Sequence, residues 1–395
     1  MKRFLPTLIF LAAAAFAGTA QTHTVTLGNG QKMTVDFYGP DIVRLFLDPA
    51  GGEVRDPEAN PPAKILVDNP RREAHTSVKE LKADKGTCIT SDAIKVFVMN
   101  DGSVSVISYT NYAGSTMNDR TIVKLSAPEF GPTGTTVTLS GSSEADYYGG
   151  GIQNGRYRHT GKTIAIENQN SWTDGGVCSP APFFWSTDGY GILWHTFAPG
   201  TYTFGKEEVT LSHETPYLDL FIMAGKSDAP HTFNKVIDNY FQLTGAPVLL
   251  PKFGFYEGHL NAYNRDWWKE TSEGGIPFED GKRYVESQKE IEGGIHESLN
   301  GELPGNYQFS ARAVVDRYEA ADMPLGWILP NDGYGAGYGQ TETLDGNVAN
   351  LRAFGEYARS KGVEIGLWTQ SDQHPVDSLP ALLQRDIVRE VRDAG

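Results

Sequence analysis

The chain has 395 residues, 39% hydrophobic, 11% aromatic and 21% charged, a globular composition that excludes disordered and fibrous classes and leaves room for two domains. The 34 Lys and Arg face 49 Asp and Glu, a formal net charge of -15 that argues against nucleic acid or an anionic membrane as partner. Two cysteines, Cys88 and Cys178, exclude a disulfide scaffold and any zinc-ribbon spacing, and leave open one bridge or two free thiols.

The first predicted element is a leader. Lys2 and Arg3 precede an apolar run from Leu8 to Phe16, and the small residues Ala17, Gly18 and Ala20 stand just before Gln21. Charged start, apolar middle and small-residue exit are the order of a secretory signal peptide, here residues 1–20. The run falls short of the about 20 residues that span a bilayer, and no later stretch reaches that length. The mature chain is expected to be periplasmic or secreted and free of the membrane.

Residues 21–247 read as a β-sandwich. Apolar residues recur with a period of two at Val25 and Leu27, at Met33, Val35 and Phe37, at Ile94, Val96 and Val98, at Val104 and Val106, and at Val137 and Leu139. Turn clusters such as Gly28-Asn29-Gly30, Asn100-Asp101-Gly102 and Gly131-Pro132-Thr133-Gly134 separate them, as connections of antiparallel strands do. Residues 48–72, rich in Pro, Gly and charge, read as an exposed loop, and no helix is predicted before residue 228.

The period then changes. Residues 232–243 put Phe233, Val236, Ile237, Tyr240 and Phe241 on one helical face, with Gly245 and Pro247 as stop signals. After a boundary at 246–251, a second domain over residues 252–395 is expected to begin with a buried strand at 253–256 and a helix at 309–321. A strand at 325–329, a helix at 348–360 stopped by Gly362, and a strand at 363–368 follow. Strand and helix in alternation specify parallel βα units.

A closed (β/α)8 barrel takes about 250 residues, and residues 252–395 supply little more than half of that. The expected fold is a β-sandwich domain followed by an incomplete (β/α)8 TIM barrel. Its final segment, 380–395, lines up Leu382, Leu383, Ile387 and Val391 on a helix with no strand after it. A complete open parallel sheet is the competing reading.

In parallel α/β architectures chemistry gathers where loops leave the carboxyl ends of strands. After the first strand the candidates are Glu257, His259, Asn261, Asn264, Arg265 and Asp266, beside Tyr263, Trp267 and Trp268. After the second come Asn331, Asp332, Tyr334 and Tyr338, and after the third Gln370, Ser371, Asp372 and His374. Carboxylates and amides match sugar hydroxyls in pairs and aromatic rings stack on the apolar faces of sugars, so this mixture suits a glycan. Trp267 and Trp268 serve equally as packing, and Asp266 or Asp372 as caps. Asp332 stands out as an acid at a strand end in Pro330-Asn331-Asp332-Gly333-Tyr334-Gly335, whose glycines let a ligand approach closely. No phosphate loop, GxSxG elbow, HExxH helix or Rossmann fingerprint occurs, the histidines lack metal spacing, and neither cofactor nor metal is expected.

The motifs also stand in a familiar order. Tyr147-Tyr148-Gly149-Gly150-Gly151 and Pro182-Phe183-Phe184-Trp185-Ser186-Thr187-Asp188-Gly189-Tyr190-Gly191 run into Leu243-Thr244-Gly245-Ala246-Pro247 and Pro251-Lys252-Phe253-Gly254-Phe255. This resembles glycoside hydrolase family 31, the retaining α-glycosidases that include α-glucosidases, α-xylosidases, α-galactosidases and α-N-acetylgalactosaminidases. Glu297-Ser298-Leu299-Asn300-Gly301-Glu302 and the stretch from Pro324 to Gly335 look closest to the branch acting on α-galactosides and α-N-acetylgalactosaminides.

The resemblance implies double displacement through an oxocarbenium-like transition state, with one aspartate as nucleophile and another as acid/base, their carboxyls about 5 Å apart. In the family both lie beyond the fourth barrel strand, so they are expected beyond Gly395, no catalytic residue is assigned within this chain, and the chain alone is expected to be inactive. What carries over is sugar recognition. A gapless comparison puts Asn331, and side-chain type puts Asp332, in place of the family's substrate-binding aspartate after the third strand. Asp174, in Asn170-Ser171-Trp172-Thr173-Asp174, looks like the sandwich-loop acid that reaches the cleft, and Trp368 resembles a wall of the innermost subsite. Glu257, His259 and Asn261 complete the expected substrate-binding set, and the implied partner is an oligosaccharide or glycan. The departure to Pro330-Asn331-Asp332-Gly333 from the family's acid-rich motif sets the specificity apart from an ordinary α-glucosidase. Two readings compete: a complete small glycosidase recruiting Glu257, Asp332 or Asp372, and a non-catalytic carbohydrate-binding protein built on the sandwich, which has no need of the βα units.

Overall fold

The residues that alternate in the sequence are the ones the structure buries. A computed structural model describes residues 21–60, 62–81, 86–108, 119–225, 232–261, 267–278, 280–287, 289–296, 309–331 and 348–366. Every residue of the period-two pattern named above, from Val25 to Leu139, lies in one core. The leader, the Asp332 loop, Trp368, Asp372 and segment 380–395 lie outside the described residues. The chain divides into two units, Met1–Pro247 and Val248–Gly395.

The first unit is two antiparallel sheets enclosing that core. One has seven strands, in spatial order Thr22–Thr26, Lys32–Gly39, Ile42–Leu47, Leu218–Ala224, Tyr190–Trp194, Val177–Ser186 and Tyr147–Gln153. The other runs Thr163–Ile166, Gly200–Phe204, Glu208–His213, Gly134–Ser140, Arg120–Leu125, Val104–Ser108, Ile94–Val98, Gly86–Thr90 and Ser77–Leu81, with Glu129–Gly131 pairing onto Gly134–Ser140. Successive side chains point to opposite faces of a strand, so alternate residues of both sheets meet in the middle. Each fully buried Val, Leu or Phe there stabilises the fold by about 1.5–3 kcal/mol relative to exposure.

Three strands break the alternation. Ile42–Leu47, Tyr190–Trp194 and Leu218–Ala224 are buried at every residue, and helix Thr232–Thr244 covers the outer face of their sheet. Val236 and Leu243 of that helix pack with Leu193, Phe221 and Met223. The helix stops at Gly245, whose N–H donates to Phe241 O at 2.8 Å. Phe233, expected on the buried face, is 43% exposed and stacks at the rim on Trp185, with ring centroids 5.8 Å apart.

A buried ion pair ties the middle of the same sheet. Arg44 Nε and Nη2 donate to the two carboxylate oxygens of Asp219 at 2.7 and 2.6 Å, and Nη1 donates to Tyr38 Oη at 3.2 Å. Burial opposes the charge of Arg44, but the hydrogen bonds and charge of Asp219 outweigh it and hold the guanidinium pKa above its ordinary value. Cys88 and Cys178 are free thiols. Residues 48–60 and 62–72 form the expected loop, exposed along most of its length.

The second unit holds a parallel sheet in the order Glu257–Asn261, Trp327–Asn331, Glu364–Ile365. Helices Phe309–Ala320 and Val348–Ser360 connect successive strands, and Ala311, Val315, Phe354 and Ala358 from the helices share one core with Ile328 and Val363. The buried strand expected at 253–256 is not there. Lys252–Phe255 is a 3-10 turn with no buried residue, and the strand begins at Glu257. Gly254 N–H donates to Pro251 O at 2.9 Å and Tyr256 N–H to Phe253 O at 3.1 Å, closing the turn behind Pro251. An antiparallel sheet that the sequence reading did not foresee, Ile276–Pro277, Arg283–Ser287, Trp267–Thr271 and Ile295–His296, follows the first parallel strand. Trp268 is its fully buried centre, packed edge-on against Phe278 at 5.5 Å, so this tryptophan is packing and not a platform.

Candidate functional site

The Tyr147–Gln153 strand builds one candidate site in the first unit. Its three glycines have φ of +118°, +74° and +77°, and a Cβ on Gly151 would lie 2.1 Å from Ser179 O. The run therefore serves close approach to the neighbouring strand, and its register shifts there. His159 lies beneath it: its backbone N–H donates to Tyr147 O at 2.9 Å and its Nε2 to Gly149 O at 2.9 Å. Burial lowers the His159 pKa, against the opposing pull of the Gly149 carbonyl.

Beyond Gln153 the chain turns and meets the loop that carries Asp174. Asn154 N–H donates to Gly176 O at 3.0 Å, Gly175 N–H to Asn154 O at 2.9 Å, and Asn154 Nδ2 to Ser171 O at 2.5 Å. The Arg156 guanidinium donates to Gly175 O, and Gly176 N–H closes a turn onto Thr173 O at 3.0 Å. Asp174 stands exposed at the apex over Gly155, where a Cβ would lie 2.8 Å from its Oδ1. Among the described residues its carboxylate has no hydrogen-bond or ion-pair partner. A fixed loop presenting a free carboxylate can accept two hydroxyl hydrogen bonds at once.

A row of rings lies beside this loop. Tyr157, 82% exposed, meets Tyr148 edge-on at 5.4 Å, Tyr148 stacks on Trp185 at 4.6 Å, and Trp185 stacks on Phe233 at 5.8 Å. Trp172, two residues from Asp174, is 74% exposed. Exposed rings beside a carboxylate give one surface both stacking faces and hydroxyl acceptors. Asp174 is among the residues expected from the sequence, and none of these rings is. Tyr148 and Trp185 do fall in the two motifs that carried the resemblance.

In the second unit, the parallel register sets Asn261 opposite Asn331 and His259 opposite Leu329. Asn261 and Asn331 are the last residues of neighbouring parallel strands, so the structure brings these two expected positions together at the carboxyl edge. Glu257 is exposed and opens its strand rather than following it, about 13 Å from Asn261 at the rise of an extended chain. Asp332 and Trp368 lie outside the described residues. No three His, Cys, Asp or Glu side chains group as metal ligands among the described residues.

Residues 32–202 match the family described as the glycosyl hydrolase 31 N-terminal galactose mutarotase-like domain. No curated protein matches the chain. Among solved structures, a glycoside hydrolase family 31 dextranase of Flavobacterium johnsoniae, in complex with isomaltotriose, is 13% identical with a TM-score of 0.61, over 88% of this chain and 38% of that one. An α-xylosidase of the same family from a soil metagenome, in complex with xylose, is 17% identical with a TM-score of 0.59, over 88% and 46%. The family's α-xylosidase from Xanthomonas citri is 11% identical with a TM-score of 0.61, over 88% and 49%. At these identities the likeness is one of fold, and the chain spans less than half the length of each enzyme.

Proposed function

From the match of residues 32–202 to the glycosyl hydrolase 31 N-terminal galactose mutarotase-like domain we propose that the chain belongs to that family and serves hydrolysis of α-linked glycosides. Its own part in that reaction is to hold the glycan. The observation that carries the reading is the free Asp174 carboxylate on a pinned loop beside the Tyr157, Tyr148, Trp185 row. Asn261 and Asn331, which end adjacent strands, are the positions we assign to further hydroxyls, and Asp332 and Trp368 are assigned to sugar contact from the sequence resemblance alone.

In this reading the second unit follows the winding of a (β/α)8 barrel. Its parallel strands are neighbours in chain order, and both connecting helices share one core with the middle strand. Successive right-handed crossovers in one direction put helices on a single face, whereas a doubly wound sheet reverses order and covers both. Hydrolysis would then proceed by two displacements between carboxylates about 5 Å apart, with retention at the anomeric carbon. Neither role falls to a residue assigned here to sugar contact.

The test is a titration of the full chain with isomaltotriose, raffinose, isoprimeverose and p-nitrophenyl α-N-acetylgalactosaminide. These probes span α-glucosyl, α-galactosyl, α-xylosyl and α-N-acetylgalactosaminyl ends, and the branch resemblance favours raffinose and the galactosaminide. At least one should bind saturably, and Asp174→Asn should weaken it tenfold or more without changing the melting temperature, since that side chain is exposed. Failure of all four to bind overturns the proposal.

A further inference from the structure

A second cleft, of about 800 Å3, opens elsewhere on the sandwich unit, between loop residues Arg55, 57–60 and Ala63 on one side and residues 196–198 and 214–217 on the other. That is within the about 300–1,000 Å3 of small-ligand sites. Its floor is fixed. Thr135 Oγ1 donates to Thr215 O at 2.6 Å, Thr215 Oγ1 to Tyr217 O at 2.5 Å, Glu214 N–H to Pro199 O at 2.9 Å, and Ala198 N–H to Thr196 Oγ1 at 3.0 Å. The hydroxyls of the two buried threonines, Thr196 and Thr215, are thereby engaged inside the protein.

The polar groups on the walls are not engaged in that way. Glu58, Asn60 and Glu214 are exposed, and among the described residues their side chains make no hydrogen bond or ion pair. The Arg55 guanidinium carbon lies over the Tyr217 ring, 4.4 Å from its centroid, with Asp48 3.8 Å away, and Phe197 stands 41% exposed. Two unpaired carboxylates against one arginine that already faces an aspartate disfavour an anionic ligand. Carboxylate, amide and an exposed ring favour a neutral, polyhydroxylated one. A smaller cavity of about 440 Å3, bounded by residues 131–134, shares Glu214, Thr215 and Pro216, so the groove continues past the turn and has room for more than one sugar unit.

We infer that this groove is a second glycan site, taking a neutral oligosaccharide, separate from the Asp174 loop. The inference rests on the glycan reading above. Asn168 lines the groove and its Oδ1 accepts the Asn170 N–H at 3.0 Å at the start of the loop that ends in Asp174, so one loop borders both sites.

The test titrates the full chain with the same four probes and maps hydrogen exchange at saturation. Protection should fall on residues 55–60 and 213–217 as well as on 171–176. Phe197→Ala and Glu214→Gln, both at exposed positions, should each abolish the protection at 55–60 and 213–217, remove the matching site from the isotherm and leave binding at 171–176 unchanged. If a probe binds but protects only 171–176, or if both variants bind as the parent does, the groove is not a site and the glycan reading stands. If no probe binds at all, the glycan reading fails and takes this inference with it.

Discussion

His213 sits between Trp194 and Tyr202 with both ring nitrogens occupied, Nδ1 donating to Ala198 O at 2.9 Å and Nε2 accepting from Tyr202 Oη at 2.9 Å. That pairing is complete for the neutral ring, since the carbonyl can only accept. Burial pushes the His213 pKa from 6.5 down to about 4, against the pull of the nearby carbonyls. An unfolded chain protonates this imidazole near 6.5, so between about 6.5 and 4 the unfolded state binds more protons and stability falls as pH falls. The contribution is whole above about 6.5 and lost below about 4, and the interval corresponds to about 3 kcal/mol. The imidazole resonances of His213 should titrate near pH 4, with the denaturant midpoint declining across that window. A midpoint near 6.5 for this ring would refute the account. Residue identity alone does not reveal this behaviour, because in the sequence His213 is one of nine scattered histidines. Asp174 could be proposed from the sequence because a motif surrounds it, whereas Tyr148, Tyr157, Trp185 and Phe233 come from separate segments that only the folded sheet brings together.

At the scale of elements, period-two alternation marked the sandwich strands because each has one wet face and one dry face, and every residue it singled out is buried. The signal failed where burial did not alternate. Lys252–Phe255 is a short apolar run that pattern cannot assign to strand or turn, and the Trp267–Thr271 strand buries only Trp268. The triple-glycine strand is a case where composition misleads and geometry explains. Gly151 has φ +77°, and a Cβ there would meet the backbone at Ser179 O and at Ala181 N, 2.6 Å away, neither of which can swing aside. Gly161 has the same φ, with nothing within 4 Å of its Cβ position. Gly161→Ala should therefore cost only the backbone strain, about 1 kcal/mol, and Gly151→Ala at least about 3 kcal/mol. Chemical denaturation of the two variants side by side measures the difference, and equal losses would show that the neighbouring strand yields.

For the molecule as a whole, the sandwich core closes on itself within residues 21–247. Both sheets, and the helix that covers the outer face of one of them, come from this stretch. Its last strand, Leu218–Ala224, pairs with Ile42–Leu47 near its beginning. The strands facing the helix pack on both sides against residues of this unit. A unit with its own core should fold by itself. Residues 21–247 expressed alone should give a soluble protein whose near-ultraviolet and far-ultraviolet signals are lost together on heating, as a cooperative transition requires. Omitting residues 232–247 should uncover Leu193, Phe221 and Met223, an apolar face contiguous with the sheet, and the shorter protein should self-associate or unfold at a lower temperature. If 21–247 itself shows secondary structure without a near-ultraviolet signal, its packing depends on residues beyond Pro247, and the sandwich is not an autonomous domain.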